Sequence, residues 1–241
     1  KEGISTEHVH RVPGVNTGVG CVSILPNGEN TIVGYLGANA HLCAAQVEAA
    51  EELISDSDML ISQLEVPLEA VQRALELASK HGVRTLLNPA PGQILKPELM
   101  RYADLITPNE NEARILLGLP PDDPVSTREL ARRLAELGAK QVVVTRGKKG
   151  ALIVTGDGVD AIPSAEVRVI DVTGAGDAFT AALAVALCEG SGLRDAVARA
   201  TLAGAYATTR LGVIDGLPTD EELDAFIQSE QARESTNRHE G

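Results

Sequence analysis

Two aspartates and two glycines fall within one short stretch, Asp171-Val-Thr-Gly-Ala-Gly-Asp177, and the residues that follow, Ala178–Leu187, are apolar and rich in alanine. The apolar run reads as a helix, so the stretch before it is the turn that opens that helix. First-turn backbone N–H groups have no partner within a helix, and the helix dipole adds to their attraction for an anion. Glycine lets a phosphate approach the backbone closely, which makes the N–H groups of Gly174, Ala175 and Gly176 a candidate anion hole. Asp177 is then a carboxylate able to take a proton from an alcohol. Anion hole plus base suggests phosphoryl transfer to a hydroxyl. Asp177 could equally be the N-cap of the helix and the glycines a tight turn, although a cap needs neither two glycines nor the second aspartate, Asp171.

Other polar motifs admit paired readings. Thr145-Arg146-Gly147-Lys148-Lys149-Gly150 is a phosphate-facing loop or a β-turn with solvated lysines, and it lacks the spacing of a Walker A loop. Asn109-Glu-Asn-Glu112 opens a helix. There Glu112 either caps that helix or holds Mg²⁺ through waters, since Mg²⁺ keeps several waters and few protein ligands. Glu65, Asn88 and Asn39 suit hydrogen bonds to sugar hydroxyls, or simply a surface loop. Carbonyls around Arg210-Leu-Gly212 and Asp215-Gly216 could bind a cation, or form a plain turn. The histidines (His8, His10, His41, His81, His239) show no metal-ligand or nucleophile-activating spacing.

The elements that must position these groups alternate. Apolar β-rich runs at 18–25 and 31–36 flank Pro26-Asn-Gly-Glu29, a hairpin signal. A helix over 44–54, a strand at Asp58–Gln63 and a helix at Pro67–Lys80 stopped by Gly82 follow. Strands are expected at Val83–Leu87, Asp104–Ile106, Gln141–Thr145 and Ala151–Val154. Ser126-Thr-Arg-Glu129 has the form of a capping box. Helices at about 175–189, 193–209 and 219–228 precede a polar, frayed tail. Strands alternating with helices predict an α/β, doubly wound, mostly parallel sheet, which binds ligands at the carboxyl ends of its strands. Each of the main polar motifs follows an expected strand.

The chain has 241 residues, 44% of them hydrophobic and 23% charged, which suits a globular α/β chain. Aromatics are 2%, Trp is absent and the net charge is −13, so nucleic-acid and anionic-membrane partners are excluded from the expectation. Cys21, Cys43 and Cys188 are scattered; buried reduced thiols and a cytoplasmic location are expected. There is no membrane-length apolar run and no leader pattern.

Taken together, the motifs resemble the ribokinase-like (PfkB) carbohydrate kinases over the chain up to about residue 228. Asp171–Ala184 is similar to the family's C-terminal signature. Gly37-Ala-Asn-Ala40, Gln63-Leu-Glu65, Asn88-Pro-Ala-Pro91, Thr107-Pro-Asn-Glu110 and Val144-Thr-Arg-Gly147 follow its order and spacing. The Asn-Pro-Ala-Pro and Gln-Leu-Glu elements favour its ribokinase branch over adenosine kinases and fructokinases. The resemblance implies ATP-dependent phosphorylation of the primary hydroxyl of D-ribose, with Asp177 as base and Gly174–Gly176 as anion hole. It implies a sugar contact at Glu65, and ATP contacts at Asn109, Thr145, Arg146, Gly147, Lys148, Lys149, Gly150, Gly176 and Thr201. Glu112 is implied for Mg²⁺, and Asp171, Thr173, Ala207, Arg210, Gly212 and Gly216 for potassium. Position 216 is Gly where some relatives offer a Ser hydroxyl, so one potassium ligand is missing from that set. The implied organisation is a β-lid remnant at 1–40 that forms a homodimer, a nucleotide-binding core at 41–228 and a tail at 229–241. The family's N-terminal βαβ part, with its early Asp and Gly-Gly motif, is not in this sequence. A chain of this extent is expected to lack much of the sugar site and to expose strand edges. The implied alternatives are another sugar or nucleoside kinase of the family, or a truncated form that binds nucleotide or dimerises without catalysis.

Overall fold

Short aliphatic strands separated by amphipathic helices give an α/β fold with a mostly parallel sheet, here in a computed structural model that describes residues 3–24, 30–155 and 158–239. The described residues fall into two units. One draws on Lys1–Cys21, Ile32–Val144 and Val154–Asp157, the other on Val22–Thr31, Thr145–Ile153 and Gly158–Gly241.

The strands β1 (Val19–Ile24) and β2 (Asn30–Tyr35) pair as a separate two-stranded ribbon. The Asn-Gly turn expected between them lies outside the described residues. The single helix expected over 44–54 is instead two, α1 (Ala44–Glu48) and α2 (Glu51–Ser55). The ladder breaks at Ala49-Ala50, where the Ala50 N–H closes a tight bond to the Val47 carbonyl at 3.1 Å.

In the first unit, β3 (Met59–Ser62), β4 (Arg84–Leu87), β5 (Leu105–Ile106) and β6 (Gln141–Thr145) lie side by side in chain order. All three pairings are parallel, with Ser62 opposite Leu87, Leu87 opposite Ile106 and Ile106 opposite Val142. Parallel pairing brings the carboxyl ends of β3, β4 and β5 to one edge, so the motifs at 63–65, 88–91 and 107–112 must share it. Between the strands run α3 (Leu68–Lys80), α4 (Pro97–Met100), α5 (Glu110–Leu116) and α6 (Thr127–Glu136). The end of α3 is set by Gly82: Val83 N–H bonds the Ala78 carbonyl at 2.9 Å and Gly82 N–H that of Ser79 at 3.3 Å, satisfying carbonyls the helix leaves open. Its apolar face packs Ala70, Leu77 and Ala78 against Val47, Ile54 and Val83. The capping box expected at Ser126 forms by half. Ser126 Oγ accepts the Glu129 N–H at 3.3 Å, but the Glu129 carboxylate is drawn away by Arg132 and Arg133, each at 2.8 Å.

In the second unit, β7 (Ala151–Thr155) neighbours β8 (Gly158–Ile162), and α7 (Ala175–Cys188), α8 (Leu193–Ala207), α9 (Val213–Gly216) and α10 (Asp220–His239) follow. Ala178, Ala203, Ala207 and Leu223 make an alanine-rich core among α7, α8 and α10. The frayed tail expected from Ser229 is helical to His239. Thr219 and Glu222 form a reciprocal cap at 3.2 and 3.0 Å, and no Gly or Pro interrupts 220–240. The three cysteines are exposed, not buried as expected. They sit in the ribbon, at the cap of α1 and at the last turn of α7, places that face solvent. Among the described residues no helix is long and apolar enough to cross a membrane.

Candidate active site

In the second unit the turn before α7 is built around one buried carboxylate. Asp171 is 2% exposed. Its Oδ1 accepts the Thr173 N–H at 2.9 Å and the Thr173 hydroxyl at 2.6 Å, and its Oδ2 accepts the Gly212 N–H at 3.0 Å. These donors, the Thr173 hydroxyl first, hold its pKa below the usual aspartate value. Among the described residues all the donors to its carboxylate are neutral. Asp171 thus staples the 171–177 turn to the 208–213 segment, aided by Ile170 N–H to the Thr208 carbonyl at 2.8 Å.

The chain then enters α7 through Gly174, the N-cap, at φ 82°. Only glycine occupies that left-handed region without strain, and a methyl there would also lie 3.0 Å from Val213 Cγ1. Asp177 is therefore the third residue of the helix, not its cap. It is exposed, and no hydrogen bond to its carboxylate is found among the described residues. Nothing lies within 4 Å of where a Gly176 side chain would project, so the helix mouth is open at that residue. Of the three expected donors, Ala175 N–H is drawn to the Val172 carbonyl at 3.3 Å. Gly176 and Asp177 offer first-turn N–H groups that no helical carbonyl can take.

The 145–150 loop is a hairpin braced from inside. Arg146 bonds the Lys149 and Ala151 carbonyls through Nη2 at 3.0 and 3.3 Å, and its backbone N–H bonds the Gly150 carbonyl at 2.7 Å. Gly150 sits at φ 79°, where a methyl would meet the Ile162 carbonyl at 2.0 Å. Arg146 is thus a brace, while Lys148 and Lys149 are exposed. Thr201 is buried in α8 and its hydroxyl donates to the Val197 carbonyl at 2.8 Å, which leaves its oxygen able only to accept. Around the expected potassium position, the Ala207 carbonyl lies 3.3 Å from where a Gly216 side chain would start, and Arg210 is turned away, at 3.1 Å from Glu222 and over the Tyr206 ring.

In the first unit the strand-end motifs are joined to one another. Asn88 N–H bonds the Ser62 carbonyl at 2.9 Å, its side chain bonds the Thr107 carbonyl at 3.0 Å, and Leu64 N–H bonds the Ala90 carbonyl at 2.9 Å. Glu65 is exposed beside them. Asn109 and Glu112 form a reciprocal cap, each bond 2.8 Å. That is the capping alternative, and it uses only Oε2 of Glu112. Oε1 accepts no backbone N–H among the described residues, and burial pushes the carboxyl pKa up against the opposing pull of the Asn109 backbone and side chain. Sequence reasoning passed over Gly92, which packs directly on α5. Its place at the end of Asn-Pro-Ala-Pro-Gly was the available signal.

Polar loops at the strand ends of the first unit, and in the second an exposed carboxylate beside unpaired N–H donors at a helix mouth, are groups that phosphoryl transfer to a hydroxyl uses. Comparison with known proteins supplies the family. Residues 1–220 match the pfkB family carbohydrate kinases, and the chain belongs to that family. It is 37% identical over 228 residues to the ribokinase of Haemophilus influenzae, covering 95% of this chain and 74% of that protein. It is 36% identical to the deoxyribokinase of Salmonella typhi, covering 93% and 74%. The solved structure of Arabidopsis thaliana ribokinase complexed with ribose and ATP aligns with a TM-score of 0.80 at 26% identity, over 88% of this chain and 70% of that one. The chain is thereby an ATP-dependent sugar kinase by family.

Proposed function

We propose that this protein transfers the γ-phosphoryl group of ATP to the primary hydroxyl of D-ribose, giving ribose 5-phosphate. The observation that carries the reading is Asp177, exposed and without a hydrogen-bond partner at the third position of α7, beside the free N–H groups of Gly176 and its own backbone. A carboxylate there takes the proton of the attacking hydroxyl, and the adjacent donors stabilise charge on the transferring group. In such transfers positioning and electrostatics provide most of the rate. Glu65 and Asn88 are the proposed sugar contacts. Asn109, Thr145, Gly147–Gly150 and the α7 mouth are the proposed ATP contacts.

Mg²⁺ neutralises polyphosphate charge when it arrives with ATP. Glu112 would hold its waters through Oε1, the oxygen the cap leaves without a backbone donor, which fits a cation bound largely by water. Potassium would sit by Asp171, with the carbonyls of Thr173, Ala207, Arg210 and Gly212. A buried carboxylate compensated only by neutral donors fits a cation neighbour. The ribbon's exposed Val19, Val33 and Tyr35 support a homodimer through that face, and exposed thiols suit the reducing cytoplasm.

A coupled assay with ribose, ATP and Mg²⁺, with and without K⁺, tests the activity. 2-Deoxyribose is the comparison substrate, because the deoxyribokinase relative is nearly as similar. Turnover on deoxyribose and none on ribose sinks the ribose assignment; no turnover on any sugar favours a nucleotide-binding form. Asp177→Ala is expected to retain ATP binding and lose about 10²–10⁴-fold in kcat. A near-normal rate removes Asp177 as base.

A further inference from the structure

The loop that ends in Gly92 touches both the sugar-side motif and the helix that carries Glu112. On one side, Leu64 N–H bonds the Ala90 carbonyl at 2.9 Å and Gln93 Nε2 bonds the Leu64 carbonyl at 3.4 Å. On the other, Gly92 lies flat on the first two turns of α5. A methyl on Gly92 would stand 3.2 Å from Glu112 Cα, 3.2 Å from Ile115 Cδ1 and 3.3 Å from Ile115 Cβ. These distances are tighter than ordinary van der Waals contact, so the neighbour must yield by a few tenths of an ångström. The Ile115 terminal methyl can turn aside. Glu112 Cα is backbone, and it moves only if the start of α5 moves.

That start is where the Asn109–Glu112 cap takes one carboxylate oxygen for the Asn109 N–H and leaves the other without a backbone donor. We propose that Gly92 is a positioning residue for Glu112: its missing side chain seats the first turn of α5 against the 88–93 loop and sets where Oε1 of Glu112 can act on magnesium-bound ATP. The inference rests on the kinase reading and deepens it. It also means that the Gln63-Leu-Glu65 segment and Glu112 are held by one loop, through Ala90 on one side and Gly92 on the other.

The test is calorimetric binding of ATP, with and without Mg²⁺, to the full chain and to Gly92→Ala. The wild-type chain is expected to gain affinity on adding Mg²⁺. Gly92→Ala is expected to lose about tenfold of that gain, since shifts below 1 Å at a site carry costs of this order, while metal-free ATP affinity stays within about twofold. Hydrogen exchange over 109–116 should quicken in the same variant. A purely structural glycine would lower the melting temperature and leave the Mg²⁺-dependent gain unchanged. That result overturns the proposal, and so does a wild-type chain that gains nothing from Mg²⁺. The ribose assay judges the sugar-kinase reading separately, because the calorimetry needs no turnover.

Discussion

Replacing Asp171 by Asn keeps the size and one acceptor and removes the charge. In the fold the two carboxylate oxygens accept three donors, at 2.9, 2.6 and 3.0 Å. An amide has one acceptor oxygen. If that oxygen faces Thr173, the NH₂ group meets the Gly212 N–H; if it faces Gly212, the NH₂ group meets the Thr173 N–H. Either way a donor is stranded. A hydrogen bond to a charged group contributes roughly 1.5–3 kcal/mol, and a stranded buried donor costs about 1–3 kcal/mol. The neighbouring Val172 is exposed, so water can relieve part of this and about 2–3 kcal/mol is expected. For a chain of this size that lowers Tm by about 4–12 °C. Turnover should fall about 10–100-fold, because the freed turn no longer fixes the helix mouth. The sign with pH follows from the depressed carboxyl pKa. The stabilisation is present above the ordinary aspartate value of about 4 and is lost as pH falls through the lower folded value. The Tm gap between Asp171→Asn and wild type should therefore be constant from about pH 6 to 8 and close below about pH 4. Differential scanning fluorimetry across pH measures it. A variant melting within about 1 °C of wild type at neutral pH, with unchanged kcat, refutes the staple.

Glu112→Gln should keep the cap, since the amide oxygen can still accept the Asn109 N–H, and should lose about 10–100-fold in Mg²⁺-supported activity. Glu112 has a raised pKa, so its ionised form costs stability as pH rises from the ordinary glutamate value through the folded one. The variant should melt at or above wild type near neutral pH, with the difference vanishing in acid; a large neutral-pH loss in a melting scan would show that the cap needs the charge. In the ribbon, Gly20 lies on the same face as Ile32, at 3.8 Å from its Cγ2, so alternation puts Val19, Val33 and Tyr35 on the opposite face. Val33→Glu should convert a dimer to monomer in sedimentation velocity, and an unchanged sedimentation coefficient counts against that face.

The sequence showed what local rules govern. Pro67 and Gly82 bracket α3 and Asn109 and Glu112 cap α5 through contacts within a few residues, and Asp171–Asp177 opens α7 as its glycines and following apolar run indicate. The errors came where distant or competing partners decide. Glu129 leaves its cap for Arg132 and Arg133, and Ala49-Ala50 breaks a helix that composition would continue. The bonds of Arg146 to the Lys149 and Ala151 carbonyls, and of the Thr201 hydroxyl to the Val197 carbonyl, were likewise not readable from spacing. Spacing cannot reveal which of several donors an acceptor takes.

The two glycines of the opening motif illustrate how one residue type can carry separate requirements. Gly174 is demanded by backbone conformation and by Val213 at 3.0 Å, so it belongs to the folding of the turn. Gly176 has nothing within 4 Å and an ordinary helical backbone; the fold would accept a side chain there. Its absence matters only if something outside the chain needs the space, and the neighbouring groups, two N–H donors and a carboxylate, say what chemistry that is. A residue that folding does not require, at an open helix mouth, is thus a stronger pointer to a ligand than its conformationally constrained neighbour.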